Sequence, residues 1–248
     1  MIRAWKKGGL SVKVMFSLPG VATQILVSGE GDEIDLLLDC GSGTLRDLLL
    51  EHYRNISGFD RIRAVLVSHE HFDHVGGLYP LLDFMHMIGR EKPLDILVPG
   101  PSTVAKSFVD ALMDFRRSLT YSIDLIEVSG GEELSYGAMK VKAFPVVHRG
   151  SMKKEPIGPY IPAVGYSISY RGVRVVYSGD TGLCRSLADE VRGADLAILE
   201  ATWKRRKDHA EIHMSEEEAT ELGRKAKDFL LIHRLRDLEL FIELSEHA

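Results

Sequence analysis

The sequence predicts an α/β protein in which two sheets pack together and helices cover their outer faces. Short apolar segments typical of strands alternate with longer segments whose apolar residues recur at helical spacing. They follow the order strands, helices, strands, helices, so the second half of the chain repeats the pattern of the first. No linker or low-complexity stretch interrupts them, which predicts that residues 1–248 form one domain.

Strands are predicted where β-branched and aliphatic residues run together between turn residues. Pro19-Gly20 separates the first two strands, Arg171-Gly172 forms the tip of a hairpin, and another pair of strands is predicted around Gly130-Gly131. The predicted strands are 12–18, 22–28, 34–39, 62–67, 94–98, 121–128, 139–147, 163–170, 173–178, 196–200 and 229–232.

Helices are predicted where apolar residues recur every three or four positions after a capping residue. Ser102 is the predicted cap of one helix, and Ser215 with Glu218 forms a predicted capping box at another. The predicted helices are 44–53, 78–88, 102–117, 183–191, 215–227 and 235–246.

Composition narrows the class of protein. Hydrophobic residues make up 45% and charged residues 27% of the chain, as in ordinary soluble proteins, and no apolar run approaches the roughly 20 residues of a membrane span. A net charge of −5 argues against a surface that coats nucleic acid as a whole. Only Cys40 and Cys184 are present, so no disulfide framework is expected and the reducing cytoplasm is the predicted location.

The most informative stretch is residues 68–74, because three histidines and an aspartate fall within six positions directly after a buried strand. Imidazole and carboxylate groups are the usual ligands of zinc and similar metals. His69 and His71 can point at one metal, and Asp73 and His74 can reach a second.

Three further residues follow predicted strands and can complete such a centre. They are His148, Asp180 and His233. Each alone has an ordinary explanation as a polar residue at a strand end. Together with the cluster they are candidate ligands, and the single carboxylate of Asp180 can bridge two metals.

The H-x-H-x-D-H motif followed by Gly76-Gly77 resembles the signature of the metallo-β-lactamase fold superfamily. The resemblance implies a four-layer αββα sandwich, with two mixed β-sheets packed face to face and helices outside, and two divalent metal ions at one edge. The ligand set it implies is His69, His71 and His148 for one metal, Asp73, His74 and His233 for the other, and Asp180 as the bridge. Zinc is the expected ion, and manganese or iron also suits these ligands.

Two short segments resemble sequence elements of the ribonuclease Z-like branch of this superfamily. Residues 199–202, Leu-Glu-Ala-Thr, are similar to its His-Glu-Ala-Thr element, and residues 213–215, His-Met-Ser, are similar to its His-Ser-Thr element. The resemblance implies that His213 lies over the metals and assists the departing oxygen. Glu200 is expected to lie just outside the metal ligands and to hold the residues around them in place. Asp39, at the end of its strand, is expected to orient a ligand histidine, or else to bond to loop amides.

The predicted function is metal-dependent hydrolysis of a phosphodiester, in RNA or a nucleotide. Two metals roughly 3.5–4 Å apart turn a shared water into a bridging hydroxide, which Asp73 would orient. The basic run Lys204, Arg205, Arg206 and Lys207 can attract a phosphate-bearing substrate, or can be an ordinary solvated loop.

The sequence departs from the ribonuclease Z pattern at two positions and in one loop, and other functions stay open. Leu199 and Met214 replace a histidine and a serine of the two elements, and about 30 residues between His148 and Asp180 are too few for the long arm that grips transfer RNA. Hydrolysis of thioesters or lactones, as in glyoxalase II, uses the same seven ligands. A di-iron redox protein and a module that binds without catalysis are further alternatives. A homodimer is compatible with the resemblance.

Overall fold

Thirteen strands in two sheets make up the centre of the computed structural model, which describes residues 3–53, 55–150, 158–205 and 212–245. The first sheet has seven strands in the spatial order β1 to β7. They are β1 (Arg3–Lys7), β2 (Leu10–Leu18), β3 (Ala22–Gly29), β4 (Ile34–Leu38), β5 (Ile62–Leu66), β6 (Leu94–Pro99) and β7 (Ile123–Val128). Strands β1 to β4 pair antiparallel and β4 to β7 pair parallel.

The second sheet has six strands in the order β13-β12-β11-β10-β9-β8 and is mixed in the same way. They are β8 (Glu133–Tyr136), β9 (Met139–Pro145), β10 (Val164–Tyr170), β11 (Val173–Tyr177), β12 (Leu196–Glu200) and β13 (Phe229–Ile232). Strands β11 to β13 pair parallel and β8 to β11 pair antiparallel.

Helices lie on the outer faces of both sheets. They are α1 (Thr44–Glu51), α2 (Phe72–Val75), α3 (Leu78–Met87), α4 (Val104–Arg116), α5 (Arg185–Val191), α6 (Glu216–Gly223) and α7 (Leu235–Ser245). A 3₁₀ helix, Ile56–Arg61, leads into β5.

Three apolar clusters separate four layers. In β4, Leu36 and Leu38 belong to the cluster between the two sheets, whereas Leu37 belongs to the cluster beneath α1, α3 and α4. A third cluster packs the second sheet against α5 and α6. Because such central strands are covered on both faces, their sequences are continuously apolar rather than alternating. The predicted αββα sandwich is confirmed.

Several local predictions need correction. β1 and β8 were not predicted, because Arg3–Lys7 and Glu133–Tyr136 are short and rich in charged or polar residues. Both strands predicted around Gly130-Gly131 are present, but they lie in different sheets: β7 ends the first sheet, and β9 pairs with β8 and β10 in the second. A two-glycine turn is compatible with either connection, so the local pattern does not decide between them.

Helix starts were predicted with mixed success. The capping box of Ser215 and Glu218 is present, with each side chain bonded to the other's backbone N–H, although α6 ends at Gly223 rather than near residue 227. Ser102 was wrongly predicted as a cap. Thr103 is the N-cap residue of α4, and the Glu70 carboxylate accepts hydrogen bonds from the backbone N–H groups of Thr103 and Ala105.

Candidate metal centre and active site

The segment 68–77 leaves β5 and lies against the segment that leaves β4. Gly77 N–H donates to the Cys40 carbonyl at 2.8 Å, and Cys40 N–H donates to the His74 carbonyl at 2.7 Å. A Cβ on Gly77 would lie 2.2 Å from the carbonyl oxygen of Gly41. Only glycine permits this approach, so the second glycine of the motif holds the histidine segment against its neighbouring strand end.

Three imidazoles form the first candidate metal group. His69 and His71 come from the segment after β5, and His148 follows β9 in the other sheet. His69 Nε2 lies 3.0 Å and His148 Nε2 lies 3.3 Å from His71 Nδ1. Nitrogen ligands on a tetrahedral zinc with bonds of about 2.0–2.1 Å are roughly 3.3 Å apart. The three side chains are therefore spaced as the ligands of one small metal ion.

The second candidate group is Asp73, His74 and His233. His233 Nε2 lies 3.2 Å from Asp73 Oδ2, and His74 Nε2 lies 3.6 Å from the same oxygen. Asp73 and His74 occupy the single turn of α2, whereas His233 follows β13. Gly20, in the turn between β2 and β3, donates its N–H to Asp73 Oδ2 at 2.8 Å.

Asp180 lies between the two groups. Its Oδ2 is 3.3 Å from His74 Nε2, 3.4 Å from His233 Nε2 and 4.0 Å from His69 Nε2. One buried carboxylate oxygen thus faces ligands of both groups, which is the geometry that a bridge between two metals requires. The structure brings all seven predicted side chains together from both sheets.

Outer hydrogen bonds orient the rings. Asp39 Oδ2 lies 2.7 Å from His74 Nδ1, the Ile212 carbonyl lies 2.8 Å from His148 Nδ1, and Thr202 Oγ1 lies 2.9 Å from His233 Nδ1. In each case Nδ1 is engaged, so Nε2 faces the centre. The Asp39 carboxylate also accepts hydrogen bonds from the backbone and hydroxyl of Ser68. Asp39 therefore contacts both the His74 ring and the loop amide of Ser68.

The pKa shifts of His69, His148 and Asp73 favour the protonation states that bind a cation. Burial, together with the nearby His74 and His148, holds the pKa of His69 well below its usual value, and burial lowers that of His148 to about 3. Burial opposes ionisation of Asp73, but a hydrogen bond from His233 and the charge of His74 lower its pKa to about 2. Neutral imidazoles beside ionised carboxylates offer lone pairs to a metal.

One buried atom supports the same conclusion. His74 Nε2 is shielded from solvent and makes no hydrogen bond to any of the described residues. Burial disfavours a charged His74, yet the carboxylates of Asp180 and Asp39 raise its pKa well above the usual value. A divalent cation between these groups would satisfy the nitrogen and neutralise the carboxylates. The residues present therefore fit a pair of divalent ions, and a set of nitrogen and oxygen donors without thiolate suits zinc, manganese or iron.

His213 lies beside this cluster, immediately before α6. Its ring centroid is 5.2 Å from that of His148 and 5.6 Å from that of His233, and 15% of its side chain is exposed. Its Nδ1 is 3.3 Å from Glu200 Oε1. Burial lowers the pKa of His213, but the Glu200 carboxylate more than offsets this and raises it.

Glu200 is the central acceptor of this part of the site. Its buried carboxylate accepts hydrogen bonds from the backbone N–H groups of Met214, Thr202 and Thr181, at 2.8, 2.9 and 3.3 Å. The Thr202 hydroxyl donates to it as well and also contacts His233 Nδ1. Glu200 thereby links the segment that carries His213 to a candidate metal ligand.

Comparison with known proteins places this chain in a family. A model of the beta-lactamase superfamily domain matches residues 35–233. Ribonuclease Z of Ignicoccus hospitalis is 30% identical over 260 residues, which cover 86% of this chain and 84% of the relative. The chain belongs to the ribonuclease Z family of the beta-lactamase superfamily.

Solved structures agree with the fold. The short form of human tRNase Z matches with a TM-score of 0.73 and 20% identity, over 90% of this chain and 92% of that chain. Zinc-bound PqqB of Methylobacterium extorquens matches with a TM-score of 0.67 and 16% identity, over 90% of this chain and 88% of that chain.

Family membership confirms the predicted class of activity. This member of the ribonuclease Z family is a metal-dependent hydrolase of the type that acts on phosphodiester bonds, and its fold implies divalent metal ions. None of the helices that the structure describes combines the length and apolar character needed to cross a membrane.

The predicted basic run is only partly described. Arg206 and Lys207 lie outside the described residues. Lys204 and Arg205 are exposed, and the Lys204 ammonium pairs with Glu239 of α7 at 2.7 Å.

Two residues that contact the candidate ligands were not singled out from the sequence. They are Thr202 and Gly20. Thr202 belongs to the Leu-Glu-Ala-Thr element, so its position was a usable signal. Gly20 acts through its backbone N–H, which leaves no side-chain pattern to detect.

Proposed function

We propose that this ribonuclease Z family member cleaves phosphodiester bonds in RNA at a binuclear zinc centre. The observation that carries the proposal is the Asp180 carboxylate, which lies within 4.0 Å of ligand atoms from both histidine groups. RNA as the substrate is supported by the name of the Ignicoccus hospitalis relative, ribonuclease Z. Zinc is supported by the nitrogen and oxygen donors of the site and by the zinc-bound structure of PqqB.

The proposed ligands are His69, His71 and His148 for one ion, Asp73, His74 and His233 for the other, and Asp180 for both. When bound, the two ions supply a water nucleophile of lowered pKa and stabilise the charge that develops on the phosphoryl oxygens. The Asp73 carboxylate accepts a hydrogen bond from the Gly20 N–H and would orient the attacking water.

His213 is the proposed proton donor to the departing oxygen. Glu200 beside Nδ1 raises the pKa of the imidazole and so favours the protonated ring, whose Nε2 N–H would donate to the leaving group. Glu200 acts through His213 and is a positioning residue. Lys204 pairs with Glu239 and is not placed in contact with the scissile phosphate.

The test uses two substrates that differ in leaving group. An RNA oligonucleotide releases a poor alkoxide leaving group, whereas bis(p-nitrophenyl) phosphate releases a phenolate that needs no proton. We expect zinc-loaded Asp73→Ala to lose turnover of both. We expect His213→Ala to reduce kcat on RNA by about 10²–10⁴-fold, with a much smaller effect on the nitrophenyl ester.

His86→Ala is the matched control, because His86 lies away from the cluster and accepts a hydrogen bond from the Thr120 N–H. Equal losses on both substrates in His213→Ala would show that it is not the proton donor. Absence of any phosphodiester hydrolysis by protein that holds two zinc ions would contradict the proposed function and direct attention to thioesters and lactones.

A further inference from the structure

A cavity of about 270 Å³ lies beside the candidate metal centre, between α7 and the first two strands of the first sheet. Ligand pockets that enclose drug-sized molecules measure about 300–1,000 Å³. The volume of this cavity therefore suits one small ring system rather than a larger ligand. None of the seven candidate metal ligands lines it.

The cavity and the metal centre share structural elements. Ser17, which lines the cavity, accepts a hydrogen bond from the backbone N–H of His233 at 3.1 Å. Leu18, also in its lining, precedes the turn from which Gly20 bonds to Asp73. Arg234, a third lining residue, directly follows His233. The cavity lining and the metal centre are therefore joined through the residues on either side of His233 and through the end of β2.

The apolar part of the lining contains two aromatic rings. Phe16 of β2 and Phe241 of α7 meet edge to face, with ring centroids 6.1 Å apart and an interplanar angle of 90°. Phe241 is 49% exposed although it is a large apolar side chain. Unpaired bases of RNA are bound by stacking on such rings, whatever their identity.

The polar part of the lining carries an excess of positive charge. The guanidinium groups of Arg3 and Arg234 both donate to the single carboxylate of Asp237, with Arg234 making two bonds at 2.7 and 2.9 Å. Burial and the nearby charge of Arg234 lower the pKa of Arg3, although Asp237 opposes this. Two cations beside one anion favour a ligand that carries a phosphate.

We propose that this cavity binds the base of the nucleoside adjoining the scissile phosphodiester, with the base against Phe241 and the ribose and phosphate toward Arg234. The inference rests on the proposed phosphodiesterase function and adds a substrate subsite to it. It predicts that the enzyme distinguishes a nucleoside ester from a simple alkyl ester of the same phosphate.

The experiment compares two esters that share a leaving group, adenosine 5′-(p-nitrophenyl phosphate) and methyl p-nitrophenyl phosphate. We expect the wild-type zinc-loaded protein to prefer the nucleoside ester. Phe241→Ala should reduce the ratio of kcat/KM for the two esters by about ten-fold, mainly through KM, since stacking on one aromatic ring is worth about this much. Phe115→Ala removes an exposed aromatic ring from α4, outside the cavity, and should leave the ratio unchanged.

A binding measurement separates the cavity from catalysis. Calorimetric titration of metal-free protein with adenosine and uridine 5′-monophosphates should show binding that weakens about ten-fold in Phe241→Ala. Phe241→Leu keeps the apolar face of α7 and should lose part of this affinity while its circular dichroism and melting temperature match the wild type.

The outcomes are distinct. An unchanged ester ratio together with unchanged nucleotide binding in folded Phe241→Leu and Phe241→Ala would overturn the proposed subsite. If the wild type hydrolyses neither ester, the proposed function fails, and the titration still decides whether the cavity binds nucleotides.

Discussion

At the scale of single residues, the site depends on side chains that hold the candidate ligands in place. Asp39 and His233 both have left-handed backbones, with φ of 55° and 53°, directly after their strands. Such conformations cost about 1–3 kcal/mol for a residue other than glycine and are retained where the surrounding structure requires them. Each turns the chain sharply at the strand end, so that the side chain lies in the centre.

Replacing Asp39 by Asn tests the orientation of His74. Asparagine tolerates the same backbone but lacks the charge that bonds to His74 Nδ1. We expect the affinity for zinc to fall about 10–100-fold, as is typical when the outer partner of a ligand histidine is lost. Competition with a chromophoric chelator measures this. Asp124→Asn, at an exposed position of β7, is the control. An unchanged affinity in Asp39→Asn would show that His74 needs no such partner.

At the scale of secondary structure, buried polar contacts connect the elements that carry the site. Asp35 of β4 is fully buried and accepts a hydrogen bond from the Tyr53 hydroxyl at 2.6 Å and one from Arg61 Nε at 3.1 Å. These bonds join β4 to the chain that follows α1 and to the 3₁₀ helix before β5. β4 and β5 lead directly to Asp39 and to the histidine segment.

This contact predicts how stability depends on pH. Burial opposes ionisation of Asp35, but hydrogen bonds from His52, Arg61, Ser28 and Tyr53 outweigh it and lower its pKa to about 2, from a usual value of 3.8. Because the folded pKa lies below the unfolded one, the stabilisation is fully present above pH 3.8 and is lost as the pH falls through about 2. We expect a loss of about 2 kcal/mol in the free energy of unfolding across this window.

Urea unfolding of metal-free protein at several pH values measures the effect. Asp35→Asn should be less stable than the wild type at pH 6, and the difference should shrink toward pH 2. Asp110→Asn, which alters an exposed pair with Lys106, should follow the wild type. A constant difference between Asp35→Asn and the wild type would contradict the assigned pKa.

At the scale of the whole molecule, the candidate metal centre joins the two sheets. His69, His71, Asp73 and His74 leave the first sheet, whereas His148, Asp180 and His233 leave the second. All come from segments that follow the carboxyl ends of strands, which meet at one edge of the sandwich. A metal ion bound there would favour the folded state, because an unfolded chain cannot hold these ligands together.

Metal removal should therefore lower thermal stability. Free zinc at 1,000 times its Kd stabilises a one-site protein by about 4 kcal/mol, and each kcal/mol shifts Tm by about 2–4 °C in a protein of this size. We expect a chelator to lower Tm by about 10 °C and added zinc to restore it, as followed by circular dichroism. Asp73→Ala should show a smaller response. A Tm that is the same with zinc and with chelator would contradict metal binding at this centre.

Most of the architecture was predictable because its signals are local. Continuous apolar strands and helical spacing are read within a few residues and predicted most of the strands and helices. The H-x-H-x-D-H motif is equally local, and the family resemblance that it carries implied the layers and the candidate ligand set. The sheet assignment of β7 and β9 and the cap of α4 were not predictable, because β pairing and the contact from Glu70 depend on residues distant in sequence.

The linear order of residues was thus sufficient for the strand and helix pattern and for the ligand types, which follow from residue chemistry and short-range spacing. The four layers, the full ligand set and the type of chemistry were implied by the resemblance that the motif carries. The linear order could not indicate that one oxygen of Asp180 faces both histidine groups, that Thr202 contacts His233, or that α7 and β2 enclose a cavity beside them. Those facts depend on how two sheets are placed against each other, and that placement results from burial of the apolar cluster between them.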